Sequence, residues 1–279
     1  MKKYWLLLII LLSSIFCYLY FYKSICEYKF IKIHSFSEAD LKCDSNTLIT
    51  FDIDDTLITT EDILAKLEET PFIFKVLTII HHPYLIIPKN FAHISSIIFD
   101  QAHRKLTEPD NGIFINKLKA NGCKVIGLTS IQSGSWGIIE NMIEWRYNML
   151  ESMNIRFSNQ FKDVVFYNLQ KRVESHPTLY KGIIFTNLES KGKTLGAVID
   201  MQKEKPNRII SFDDEETALC SIAQLCQERK IEFIGYHYLG ADIKAKKFVN
   251  KRALLQLDYV YKYNKWLTDK QADAILNLT

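Results

Sequence analysis

Neither sign of charge dominates this sequence: 35 Lys and Arg face 32 Asp and Glu, a formal net charge of +3. Lysines such as Lys191, Lys193, Lys203 and Lys205 are interleaved with other residues instead of forming a basic stripe, so no nucleic-acid partner is expected. No internal repeat is visible. The six cysteines form no framework. Cys17 lies in a long apolar run, Cys123 lies beside an expected strand, and Cys220 and Cys226 stand six apart on an expected helix. Six helical residues span about 9 Å, too far for a disulfide. Cys26 and Cys43 would pair only in an oxidising compartment, and free thiols are the general expectation. What remains is a chain of 279 residues, 48% hydrophobic and 24% charged, enough for one large globular domain or a domain with an insertion.

Lys2 and Lys3 precede an uncharged run at residues 4–22, long enough to cross a hydrocarbon core as a helix. Tyr4, Trp5, Tyr18, Tyr20 and Tyr22 lie toward its ends, as interfacial aromatics do. No small-x-small cleavage site follows, and Phe16 before Cys17 argues against a lipid-modified cysteine. Residues 1–23 therefore read as an uncleaved membrane anchor with the remainder exported to the periplasm or beyond. A cleaved signal peptide and a secreted protein is the alternative. Lys23, Lys29 and Lys32 after the run weaken the positive-inside argument for export. Residues 24–45 read as a juxtamembrane linker and 46–279 as the main domain.

Within that domain apolar runs alternate with helical patterns, as expected of an α/β fold with a parallel sheet covered on both faces. Core strands are expected at 48–51, 125–128, 208–212 and 231–238. Helices are expected at 113–120, 137–153, 194–201, 215–229 and 243–266. Two more strand-like runs, 164–169 and 182–186, read either as a hairpin or as further sheet members.

The polar ends of those strands carry the chemistry. Leu48-Ile49-Thr50-Phe51 delivers Asp52 and Asp54 into a turn, and side chains two apart on a strand share a face. The second run stops at Thr129-Ser130 and the third at Asp213-Asp214. In open α/β sheets ligands bind beyond the carboxyl ends of the strands. Lys191 opens a helix, where a cation is disfavoured unless an anion sits beside it, and a phosphate would be that anion. Each feature also has a plainer reading. Asp52 to Thr56 could form a capping turn, Thr129 and Ser130 could simply end a strand, and Asp213 and Asp214 could cap the following helix. Lys193 could reach the same place as Lys191.

This ordered set resembles the haloacid dehalogenase-like (HAD) superfamily: Asp52-x-Asp54-x-Thr56, then Thr129, Lys191 and Asp213-Asp214, spread over residues 46–240. Gly182-Ile183-Ile184-Phe185-Thr186, Lys191-Gly192 and Gly235-Tyr236-His237-Tyr238 look more narrowly like an uncharacterised HAD-like family from bacteria that live inside host cells. The resemblance implies a Rossmann-like sheet and a phosphatase acting on a phosphorylated small molecule. Asp52 would be the nucleophile. Asp54 would be the acid and base, its pKa raised by neighbouring carboxylates. Thr129 and Lys191 would hold the phosphate. Mg²⁺ would lie between Asp52, the Asp54 carbonyl, Asp213 and Asp214. Asp54 excludes a dehalogenase-type site, and Leu57-Ile58 excludes a transport ATPase. The alternatives are a phosphotransferase or mutase, and a tethered non-catalytic protein binding a phosphorylated ligand or a host protein.

About seventy residues separate the first two motifs, and the excess at 60–108 reads as a mostly helical cap inserted after the first strand. His81, His82, His93 and His103 fall there without metal-ligand spacing and read as surface or substrate-contacting residues. Trp145 and Arg146 read as surface residues, with selection of an anionic substrate as the alternative for Arg146. The segment at 242–279 reads as packing.

Overall fold

The computed structural model describes residues 26–42, 44–66, 88–241 and 248–277. The expected anchor at 1–23, Cys43, His81 and His82 lie outside them. Among the described residues no helix is long and apolar enough to cross a membrane.

The elements in chain order are β1 (Ile31–Ile33), β2 (Thr47–Phe51), β3 (Ile58–Thr60), α1 (Pro88–Gln101), β4 (Arg104–Leu106), α2 (Asn111–Ala120), β5 (Lys124–Thr129) and α3 (Met142–Ser152). There follow β6 (Val164–Val165), β7 (Thr178–Tyr180), β8 (Ile183–Phe185), α4 (Lys191–Met201), β9 (Arg208–Asp213), α5 (Glu216–Arg229), β10 (Glu232–Tyr238), α6 (Asn250–Tyr263) and α7 (Asp269–Leu276). Eight strands form one sheet in the order β1-β10-β9-β2-β5-β8-β7-β6. From β1 across to β8 every pairing is parallel, and β7 and β6 continue the sheet antiparallel.

The four expected core strands lie side by side as β10-β9-β2-β5. Their near-continuous apolar character follows from burial on both faces: every residue of β2 is buried. Ile49 and Phe51 pack with Ile115 and Leu118 of α2 and with Met142 and Leu150 of α3. Leu48, one residue out of phase, packs with Leu195 and Val198 of α4 and Ile222 of α5. Each such fully buried side chain contributes about 1.5–3 kcal/mol over an exposed one. Phe51, Phe212 and Tyr236 stack across β2, β9 and β10 with ring centroids 4.6 and 4.9 Å apart.

Three expectations change. Part of the expected linker is β1, which docks parallel on β10 with Ile33 buried and Ile31 exposed. Three residues are too short a run to show a period. The runs at 164–169 and 182–186 both join the sheet, but β7 lies between them. The helix expected from 137 begins at Met142, because Trp136 and Ile139 bridge each other across a turn with Gly137 at φ 56° and Asn141 caps the helix instead.

The cysteine expectation also changes. Cys26 and Cys220 form a disulfide that ties the segment before β1 to α5. Cys123 is disulfide-bonded too, and Cys226 is a buried free thiol. The docking of β1 beside β10 carries Cys26 to α5, a proximity that sequence spacing cannot reveal.

Between β2 and β5 the chain forms a small antiparallel ribbon of β3 and β4 together with α1. Ile94, Ile97 and Ile98 of α1 pack with Ala253, Leu257 and Val260 of α6 and with Trp266. The C-terminal segment is thus packing, as expected, and it packs on the inserted helix. His93 contacts Asn264 at 2.9 Å and His103 is exposed.

Candidate active site

Register places the first two acids. β2 and β9 pair Thr50 with Ser211 and Phe51 with Phe212, so one residue further on Asp52 and Asp213 leave the sheet side by side. The Asp52 N–H donates to the Phe212 carbonyl at 2.8 Å. The turn that follows folds back on itself: the Ile53 carbonyl accepts from both Leu57 and Ile58, and Asp55 sits at φ 54°. No helix follows, since the chain enters β3, so Asp52 and Asp54 cap nothing. The Thr56 hydroxyl donates to the Asp214 carboxylate and accepts from its N–H, both at 3.2 Å, fixing the turn to the end of β9.

Lys191 arrives from the other direction. Ser190 caps α4, and Gly192 lets its first turn approach α5 closely: a Cβ there would lie 2.0 Å from the Ser221 carbonyl oxygen. The lysine Nζ then stands 2.6 Å from Asp52 Oδ1 and 2.7 Å from Asp213 Oδ2. Lys193 is exposed and pairs with Glu189 at 3.0 Å, so of the two lysines Lys191 is the one that reaches this cluster. The anions that favour a cation at this helix start are the two carboxylates.

Asp52, Asp213 and Asp214 each offer an oxygen, all within 4.8 Å of one another. One ammonium does not balance three carboxylates. Burial, only partly offset by Lys191, pushes Asp52 and Asp213 above the usual carboxylate range. Burial together with the Asp52 and Asp213 charges pushes Asp214 up to about 9. Burial alone would lower Lys191, but the Asp213 and Asp52 carboxylates outweigh it and hold the lysine above its ordinary value. A donor set made only of oxygens and carrying surplus negative charge fits a hard divalent cation.

Asp54 departs from expectation. The groups against its carboxylate are guanidinium groups, not acids. Arg146 Nη2 lies 3.0 and 2.9 Å from its two oxygens, and Arg104 Nη1 lies 3.8 Å from Oδ1. The surface reading of Arg146 is corrected as well, because this side chain is 0% exposed. Its neighbour Trp145 donates to Asp100 at 3.0 Å.

Thr129 is buried at the end of β5, where its hydroxyl accepts from the Ile131 N–H at 3.4 Å, and Ser130 beside it is exposed. Asp52, Asp54, Thr129, Ser130, Lys191 and Asp214 line one cavity of about 270 Å³. Phe99, Arg104 and Lys66 from the inserted region line it too.

Sequence reasoning missed Lys66 and Arg104 and misplaced Arg146. A signal for Arg146 existed: Met142, Arg146 and Leu150 recur every four residues and form the buried stripe of α3. An arginine inside an apolar stripe needs an acid within reach. Lys66 and Arg104 carry no comparable pattern.

A family model described as "Protein of unknown function (DUF2608)" matches residues 30–273. An uncharacterized protein of Rickettsia prowazekii is 27% identical over 236 residues, covering 84% of each chain. Uncharacterized proteins of Rickettsia felis and Rickettsia conorii are each 26% identical over 172 residues, covering 60% of this chain and 58% of theirs. No solved structure matches the chain.

Proposed function

The chain belongs to the DUF2608 family, and from its site geometry we propose that it is a HAD-like, Mg²⁺-dependent phosphomonoester hydrolase. One observation carries the reading. The carboxyl ends of adjacent parallel strands bring Asp52, Asp213 and Asp214 together around Lys191, in a cavity that Asp54 and Thr129 also line. The central position of β2, with the chain running to β5 and β8 on one side and β9 and β10 on the other, supports a Rossmann-like sheet. The ribbon and helix between β2 and β5 support a substrate-selecting cap.

Asp52 attacks phosphorus in line and the ester oxygen leaves, giving an aspartyl-phosphate. Asp54, after taking up a proton from solvent at the open cavity, hands it to the departing oxygen and later takes one back from the water that hydrolyses the phosphoenzyme. Lys191 and Thr129 hold phosphate oxygens as charge builds on them. Asp52, Asp213, Asp214 and the Asp54 carbonyl would hold Mg²⁺, which supplies the positive charge that lets a carboxylate and a phosphate approach. Lys66, Arg104 and Phe99 line the cavity from the inserted region.

The Cys26–Cys220 disulfide favours an oxidising compartment, which supports an exported domain, tethered or secreted. The test of function is hydrolysis of p-nitrophenyl phosphate by the purified chain with Mg²⁺ or with EDTA, beside a folded Asp52→Asn control. Activity that needs both Mg²⁺ and Asp52 is expected. A folded protein inactive on aryl, alkyl and acyl phosphates alike would overturn the reading.

A further inference from the structure

Arg146 is buried without exposure, and its guanidinium finds few partners. Nη2 makes both contacts to Asp54, Nη1 lies 3.8 Å from Met149 Sδ, and Nε has no hydrogen-bond partner among the described residues. The guanidinium also stands 5.1 Å from the centre of the Trp145 ring. Burying a guanidinium carries a desolvation penalty, and apolar residues of similar volume serve stability as well or better. Among the described residues the one strong partner of Arg146 is an acid from a different part of the chain, half-buried at the cavity wall. Such an arrangement has little value as packing for α3, and its effect is to restrict one carboxylate. Arg104 Nη1 lies 3.8 Å from the same carboxylate, its own guanidinium 5.1 Å from the Phe99 ring centre.

We propose that Arg146 is a positioning residue: it holds the Asp54 carboxylate in one orientation at the cavity wall and thereby governs proton delivery to the leaving group. This rests on the phosphatase reading above. Because Asp54 is about one-third exposed, removing Arg146 lets water replace it instead of stranding a buried charge. The fold therefore survives the substitution, while Asp54 gains freedom to rotate.

Leaving-group dependence separates positioning from general damage. An alkoxide needs the proton, whereas p-nitrophenolate departs with little help, and general acid catalysis is worth about 10²–10⁴-fold. Arg146→Met should lower kcat/KM for an alkyl phosphate such as glycerol 2-phosphate by about 10²-fold. For p-nitrophenyl phosphate the loss should stay under about 10-fold, with KM and the melting temperature near wild type. Arg146→Lys should recover part of the alkyl turnover, since a single nitrogen makes both contacts. In an Asp54→Asn background the Met substitution should add no further loss. Equal losses on both substrates in a folded variant would overturn the proposal, as would an additive loss in that background. A wild-type protein with no Mg²⁺-dependent hydrolysis of either substrate would instead overturn the phosphatase reading, and this inference with it.

Discussion

Asp62 and Asp269 are buried as deeply as Asp52 and Asp213, yet the two pairs live in opposite surroundings. Asp62 accepts from the Trp266 indole N–H at 2.9 Å and from the Asp269 N–H at 2.8 Å. Asp269 accepts from Gln256 at 3.1 Å and the Ile63 N–H at 3.4 Å, and it pairs with Arg252 at 3.3 Å. Both carboxylates of that cluster face donors, and the cluster clamps the C-terminal helices to the inserted region. At the carboxyl ends of β2 and β9, three acids face one another across a single ammonium. Buried polar groups that are fully satisfied hold structure, and those left with surplus charge await a ligand. The contrast, more than the depth of burial, is what favours the second cluster as the candidate site.

The sharpest test sets one acid of each cluster against the other. Asp52→Asn should cost Mg²⁺-dependent phosphate hydrolysis on the order of 10⁴-fold with no loss of melting temperature. Asp62→Ala should do the reverse. It leaves the Trp266 and Asp269 N–H groups without an acceptor, each worth about 1–3 kcal/mol, and turnover per folded molecule should hold. Urea unfolding beside the activity assay reads both, and an inactive but stable Asp62→Ala would break the comparison.

A smaller effect is expected at Asp214. A carboxyl whose folded pKa stands above its unfolded value costs stability once the pH exceeds the unfolded one, and Asp214 is pushed up to about 9. Asp214→Asn should therefore stabilise the metal-free protein at neutral pH by on the order of 1 kcal/mol. It should also shrink the rise in melting temperature expected of wild type on adding Mg²⁺, since one oxygen of the set is lost. Thermal melts with Mg²⁺ and with EDTA check both, and an unchanged Mg²⁺ response would remove Asp214 from the ligand set.

The smallest effect concerns a buried group with no charge to balance. Burial pushes the Cys226 thiol up to about 12. The native protein should resist alkylation there at mildly alkaline pH and react once unfolded, as mass spectrometry of the labelled chain would show. Rapid labelling of the native chain at Cys226 would contradict its place in the α4–α5 core.

The parts of the fold legible in the sequence were those written in short-range pattern. Apolar runs marked β2, β5, β9 and β10 because strands buried on both faces must be apolar throughout, and the acids at their ends stood out against them. Lys191 was legible because a cation at a helix start is anomalous. The choice of Lys191 over Lys193 became a distance once Gly192 set α4 against α5. Other features depended on partners far away in the chain. β1 is a strand only because β10 offers an edge, and the disulfide of Cys26 follows from that docking. The association of α1 with α6 and the clamp around Asp62 join segments with no local signal of each other.

By itself, then, the sequence determined the strand core and the order of its acidic strand ends, since hydrophobic period and chain direction are local properties. Tertiary structure alone decided that Asp54 faces Arg146 and Arg104, that Lys66 reaches the same cavity, and that one acidic cluster is satisfied while the other is not. Those outcomes rest on which charges meet in a low-dielectric interior, and that depends on packing between distant residues.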